Sequence, residues 1–241
     1  MQQTERTAIV LRAVNYRDSD RMLTLFSPVF GRIEAKARGC RKPKARLLAA
    51  SEPFALGEYT LYEKNGRLTV TGATLTESFY GLREDYEKLT AGSYLLSLCE
   101  SCIMPGQGNQ ALFMLLLHAL ANLAYRDQPI RPLMTGFFLR YSQILGFGPE
   151  LETCHQCGRV IGEEEPLFFE NGGGLCCRDC RTPLSHGLAR EQLAFLRSVP
   201  RKKSSEWLDT PDCYSPYGLM RRYVEAELEK RPKAGRNMPQ D

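Results

Sequence analysis

Short runs in which polar and apolar residues alternate fill the first third of the chain. Residues 7–14, 21–27 and 32–38 are each bounded by charged or turn residues and read as strands. Residues 59–64 and 67–71 flank Asn65-Gly66, a dipeptide suited to the two positive φ values of a type I′ hairpin turn. About five strands in about 75 residues, with no helical stretch of comparable strength, predict a small closed barrel of OB or SH3-like type. Strand spacing alone fits both.

Beyond residue 80 the period lengthens. Leu89, Tyr94, Leu95, Leu98, Cys99 and Cys102–Ile103 fall on one face of a helix over 85–103. Asn109 can cap a second helix reaching residue 125, apolar nearly all round and so suited to a core. Pro132 suits the first turn of a third helix over 133–145, stopped by Gly146. Residues 151–183 are rich in Gly and Cys and lack any periodic apolar run. Helical patterning resumes at 188–199, residues 201–205 read as a loop, and Ser215-Pro216 opens a last helix over 217–230. The expected class is therefore α+β and multi-domain. An N-terminal barrel occupies 1–80 and a helical domain 81–150 and 184–230. A cysteine module at 151–183 is inserted in the helical domain, and a polar tail at 231–241 is expected to be disordered.

At 241 residues, 43% hydrophobic and 25% charged, the chain can bury sizeable cores. Its longest apolar run, residues 111–117, is far short of the roughly 18 residues of a membrane span. The polar start MQQTERTAIV lacks a secretory apolar stretch, so a cytoplasmic location is expected, with no membrane partner. The net charge of +4 conceals a gradient. Between residues 32 and 46 lie Arg32, Lys36, Arg38, Arg41, Lys42, Lys44 and Arg46, opposed within that stretch only by Glu34. Such a local excess suits a polyanion. The cations fall on a strand and its following loop, where OB-type modules hold oligonucleotides, and Tyr16 and Phe26 on neighbouring strands offer rings for unpaired bases.

Nine cysteines, an odd total with five crowded into 154–180, suit metal binding better than a disulfide framework. Cys154-His-Gln-Cys157 and Cys177-Arg-Asp-Cys180 are two C-x-x-C pairs with 19 residues between them, a zinc spacing. Two tight turns, each aiming two sulfurs at one ion, complete a tetrahedron and leave no open position, which makes the Zn²⁺ structural. Cys176 in place of Cys177, or His155 in place of a thiolate, would also complete a set. Cys99 and Cys102 share a helix face and read as core residues, and His118 as a core histidine. Gly106–Ala111 lacks the preceding strand of a dinucleotide fingerprint, and no hydrolase, deaminase or NTPase motif is present. A binding protein without enzymatic chemistry follows. The rival classes are a zinc-ribbon transcription or RNA-binding module, and a metal enzyme using His155 or His186.

The chain resembles the RecO recombination-mediator family. The resemblance runs through Tyr16…Asp20, Gly31, Ala37-Arg38-Gly39-Cys40-Arg41-Lys42-Pro43-Lys44 and Glu52-Pro53-Phe54. It continues in Phe138-Leu139-Arg140, Leu145-Gly146-Phe147-Gly148-Pro149, the first cysteine pair with Gly158, and Gly173-Gly174-Leu175 ahead of the second pair. It implies an OB-fold, a helical domain and a zinc-finger-like module in a DNA repair factor. Such a factor binds single- and double-stranded DNA, anneals complementary strands, and works with RecR in loading recombinase onto strands coated by single-strand-binding protein (SSB). Carried over, the DNA role falls on Arg38, Arg41, Lys42 and Lys44 with Arg32, Lys36 and Arg46 in support, and the zinc role on Cys154, Cys157, Cys177 and Cys180. The SSB C-terminal tail would meet a groove with Arg131 and Arg140 on its rim.

Overall fold

A computed structural model describes residues 3–228 and divides the chain into two compact units, 3–124 and 125–228. In the first, β1 (Gln3–Tyr16), β2 (Asp20–Ser27), β3 (Gly31–Ala37), β4 (Leu56–Lys64) and β5 (Arg67–Glu77) close into a barrel of order β1-β2-β3-β5-β4. All neighbours are antiparallel except β3 and β5, whose parallel pairing (Ala35 with Leu68, Ala37 with Val70) completes the OB arrangement. Strand β1 is long enough to pair with β2 and with β4, and its register shifts between Val10 and Arg12, a bulge that bends it around the barrel. Asn65 and Gly66 both have positive φ, as the hairpin reading requires.

Inward positions repeat every second residue. Ala8, Val10, Leu23, Leu25, Ile33, Ala35, Ala37, Tyr59, Leu61 and Val70 form the barrel core, with each large side chain contributing about 1.5–3 kcal/mol on burial. The strands outrun the sequence expectation because their ends are hydrogen-bonded yet exposed. Residues 71–77 of β5 pair with β4 but bury little, so they carry no apolar alternation. Helix α1 (Tyr86–Cys102) is capped by Asp85, whose carboxylate accepts from the Lys88 amide, and α2 (Gln110–Tyr125) by Asn109, which accepts from Leu112. These helices cover part of the barrel exterior. Phe26 meets Phe113 edge to face at 5.3 Å, and Arg12 pairs with Glu100 at 2.6 Å. Gly31 approaches the α1–α2 loop so closely that a Cβ would lie 2.2 Å from the Met104 carbonyl oxygen.

The second unit holds α3 (Ile130–Ile144), a small sheet of β6 (Leu167–Glu170), β7 (Gly174–Cys176) and β8 (His186–Leu188) in the order β7-β6-β8, then α4 (Arg190–Ser198), α5 (Ser204–Trp207) and α6 (Tyr217–Glu227). An aromatic chain ties these pieces together: Tyr141 to Phe147, Phe147 to Tyr223, and Tyr223 to Phe169 on β6. The Tyr223 hydroxyl also donates to the Phe147 carbonyl at 2.7 Å. Local expectations shift in three places. Leu188 ends β8, so α4 begins at Arg190. Ser204 opens the one-turn helix α5 inside the expected loop. His118 is exposed on α2, not buried in the core. The expected tail at 231–241, and the end of the last helix at 229–230, lie outside the described residues.

Candidate nucleic-acid interface and metal centre

The cationic segment leaves β3 and turns back over the β1–β2 connection. Its shape comes from successive tight turns, with Lys42 N–H donating to Gly39 O, Ala45 to Lys42 and Leu48 to Ala45. Cys40 is fully buried in the barrel core and Leu47 packs against that core, so the intervening charges project outward. Arg38, Arg41, Lys42, Lys44 and Arg46 are all exposed. Among the described residues no acidic partner is found for them. Lys44 has a φ of 61°, a left-handed conformation uncommon for a non-glycine residue.

The seven predicted cations are not equivalent. Arg32 pairs with Glu34 at 2.8 Å and approaches Glu100 at 3.8 Å, and Lys36 pairs with Asp20 at 2.8 Å. The sequence counts Glu34 as the one opposing acid within the stretch, and the fold adds Glu100 and Asp20. Asp20 and Glu100 are distant in sequence, and only the fold brings them in. Arg41 uses its backbone N–H on Ser19 O (3.0 Å) and its guanidinium on the carbonyls of Arg17 and Asp18. It fastens the loop to the β1–β2 turn as well as adding charge. That contact brings in Arg17, an exposed cation which the sequence reading missed because it lies outside the charge run.

Of the two candidate rings, one survives. Phe26 faces outward from β2 but is fully buried beneath α2, so it offers no face to a base. Tyr16 is 40% exposed, with Lys36 Nζ 4.8 Å and the Arg17 guanidinium carbon 5.3 Å from its ring centre. Register extends this surface across the sheet: Val14 lies opposite Met22, Met22 opposite Lys36, and Lys36 opposite Thr69. The outer face therefore joins an apolar strip to a rim of cations, an arrangement that can stack bases and hold phosphates.

Arg131 and Arg140, both on α3, are nine residues apart, about half a turn out of phase at 3.6 residues per turn. They lie on opposite sides of that helix and do not rim one groove along it. Arg131 is 3.6 Å from Asp212, and Arg140 donates to the Gln143 side chain at 2.9 Å.

The sulfur atoms of Cys154, Cys157, Cys177 and Cys180 lie within 4.8 Å of one another. Cys157 and Cys177 are 3.9 Å apart, close to the ~3.8 Å edge of a tetrahedron with 2.3 Å zinc–sulfur bonds. Donors surround the sulfurs: the Cys177 amide points at Cys154 Sγ at 3.4 Å. Burial raises the Cys154 thiol, but the amides of Cys157, Cys177 and Gln156 outweigh it and bring the pKa down to about 6. Cys180 is pushed up to about 12 by its bonds to the sulfurs of Cys157 and Cys177. Crowded sulfurs cannot all carry negative charge without a compensating cation, which is the chemistry of a divalent-metal site. The four cysteines fit a structural metal ion.

Cys176 lies outside the group of four sulfurs. It groups with His155 and Glu170, and its Sγ donates to the Cys177 carbonyl. His155 Nε2 lies 3.0 Å from Glu170, which also accepts from the Thr182 amide, the Thr182 hydroxyl and the Ser185 hydroxyl. These bonds, led by that of Ser185, hold the Glu170 carboxyl down at about 2. The carboxylate thus links a residue of the first cysteine turn to the chain just beyond the second. The His155 ring fits because residue 173 is glycine, where a Cβ would lie 2.1 Å from the ring. His186 is exposed on β8.

Comparison with known proteins bears on the whole chain. The family model "Recombination protein O N terminal" matches residues 1–79, and "Recombination protein O C terminal" matches 83–236. A DNA repair protein RecO of Desulfitobacterium hafniense is 33% identical over 92% of this chain and 74% of its own length. One from Desulforamulus reducens is 31% identical over 94% and 90%. One from Pelotomaculum thermopropionicum is 38% identical over 72% and 66%.

Proposed function

The chain belongs to the RecO family of DNA repair proteins, and from that membership we propose that it is a non-enzymatic mediator that binds DNA through its N-terminal barrel and anneals complementary strands. The observation that carries this reading is the exposed Arg38, Lys42, Lys44 and Arg46 on one loop, together with Arg17 and Lys36 against the Tyr16 ring. Two complementary strands repel through their phosphates, and a cationic surface that screens both lowers the barrier to encounter. Such a step consumes no nucleotide. Single strands engage both the cations and Tyr16, whereas a duplex hides its base faces and engages the cations alone. Arg41 and Lys36 shape the surface, and Arg32 flanks it.

A Zn²⁺ held by Cys154, Cys157, Cys177 and Cys180 is part of the proposal. When bound it supplies folding energy to a segment with little apolar core, and no open position for substrate. RecR and the SSB tail, as partners in recombinase loading, rest on family membership. The deciding experiment is annealing of complementary oligonucleotides coated with SSB, without added nucleotide. The protein is expected to accelerate annealing, and the Lys42→Ala/Lys44→Ala variant to do so less. No acceleration, or a requirement for nucleotide hydrolysis, contradicts it.

A further inference from the structure

The cationic loop carries a set of like charges that repel one another, so something must hold it together. Its attachments converge on the β1–β2 turn. Gly39 N–H donates to Asp20 Oδ1 at 2.8 Å, Arg41 N–H to Ser19 O at 3.0 Å, and the Arg41 guanidinium to Arg17 O and Asp18 O. Of these acceptors, only Asp20 acts through its side chain. Its other carboxylate oxygen pairs with Lys36 at 2.8 Å.

We propose that Asp20 is a positioning residue of the DNA-binding surface, holding the 38–46 loop through the Gly39 amide so that Arg38, Lys42, Lys44 and Arg46 face one strand together. The inference rests on the reading of that loop as the DNA surface. It goes against simple charge addition. Asp20 is an anion beside a surface that recruits an anion, so electrostatics alone predicts that removing it by any route strengthens binding. Positioning predicts opposite signs for two substitutions. Asp20→Asn keeps an acceptor for Gly39 while removing the negative charge and releasing Lys36, and binding tightens. Asp20→Ala makes the same change of charge but leaves the Gly39 amide without its acceptor, and binding weakens as the loop spends time in other shapes.

The test measures binding of a labelled single-stranded oligonucleotide to the full chain, with limited trypsin digestion alongside. The loop reports on itself, since cleavage after Arg38, Arg41, Lys44 or Arg46 needs it to open. Asp20→Ala is expected to bind roughly three- to tenfold more weakly, the scale of losing one net intramolecular hydrogen bond. It is also expected to be cut faster within the loop. Asp20→Asn should bind more tightly than wild type and be cut no faster. Alanine binding as tightly as wild type, or asparagine losing as much as alanine, overturns the proposal. Should the alanine variant not fold, Asp20→Glu takes its place. One extra methylene displaces the carboxylate from the Gly39 amide with charge unchanged, so weaker binding supports the inference and unchanged binding overturns it. A parallel Lys42→Ala/Lys44→Ala arm separates the two levels. If that variant binds normally, the DNA reading of the loop fails. If it binds poorly while the Asp20 variants keep wild-type affinity, only the inference fails.

Discussion

Tyr59 places one hydroxyl in the barrel core, where it donates to the carbonyls of Ala50 (2.9 Å) and Ala55 (3.1 Å). It thereby ties β4 to the chain that returns from the cationic loop, and burial holds the phenol well above its usual pKa. Tyr59→Phe keeps the ring and loses both bonds, so urea unfolding should show a loss of about 1–2 kcal/mol. The residue scale is also where sequence reasoning went furthest wrong. Phe26 occupies an outward position of β2, as alternation says, but alternation cannot tell which outward positions a later helix covers. Arg17 shows the converse. One cation in a turn gives no pattern, and only the bonds from Arg41 connect it to the charged loop. Cys40 interrupts the basic stretch, and its buried side chain seats that stretch on the barrel.

At the scale of elements, the cysteine module was legible because ligand spacing is local. Two residues between thiolates specify a turn whatever surrounds it. The sheet beside it was not legible, since strands of three or four residues are too short to show a period. Metal analysis of the purified chain is expected to give one zinc, and a strong chelator should expose about four additional reactive thiols while barrel signals in NMR spectra persist. Loss of barrel dispersion on chelation would contradict the division of labour. The Glu170 linkage gives a second check. Its folded pKa of about 2 lies below the 4.5 of an unperturbed glutamate, so its stabilisation is fully present above pH 4.5 and disappears as pH falls toward 2. Glu170→Gln should lower the thermal midpoint near neutral pH and show a smaller further loss between those two values. An unchanged midpoint would mean that the Glu170 bonds brace nothing.

For the molecule as a whole, the barrel strands, the helices and a closed barrel could be read from the chain's periods, but which strands meet to close it could not. The parallel pairing of β3 with β5 joins segments separated by the cationic loop, the returning chain and β4, and alternation within a strand does not say which other strand it meets. Among the described residues no helix is long and apolar enough to cross a membrane. The mild net charge of +4 likewise says little, because the relevant quantity is the field at one loop. The most direct measurement is the affinity of the full chain for a single-stranded oligonucleotide as a function of salt, for wild type and Lys42→Ala/Lys44→Ala. Two lost phosphate contacts should flatten the log–log slope by roughly 1.4, at about 0.7 per contact, and weaken binding to all sequences alike. An unaltered slope, or a wild-type chain that ignores oligonucleotides at low salt, would show that the cationic loop is not where DNA binds.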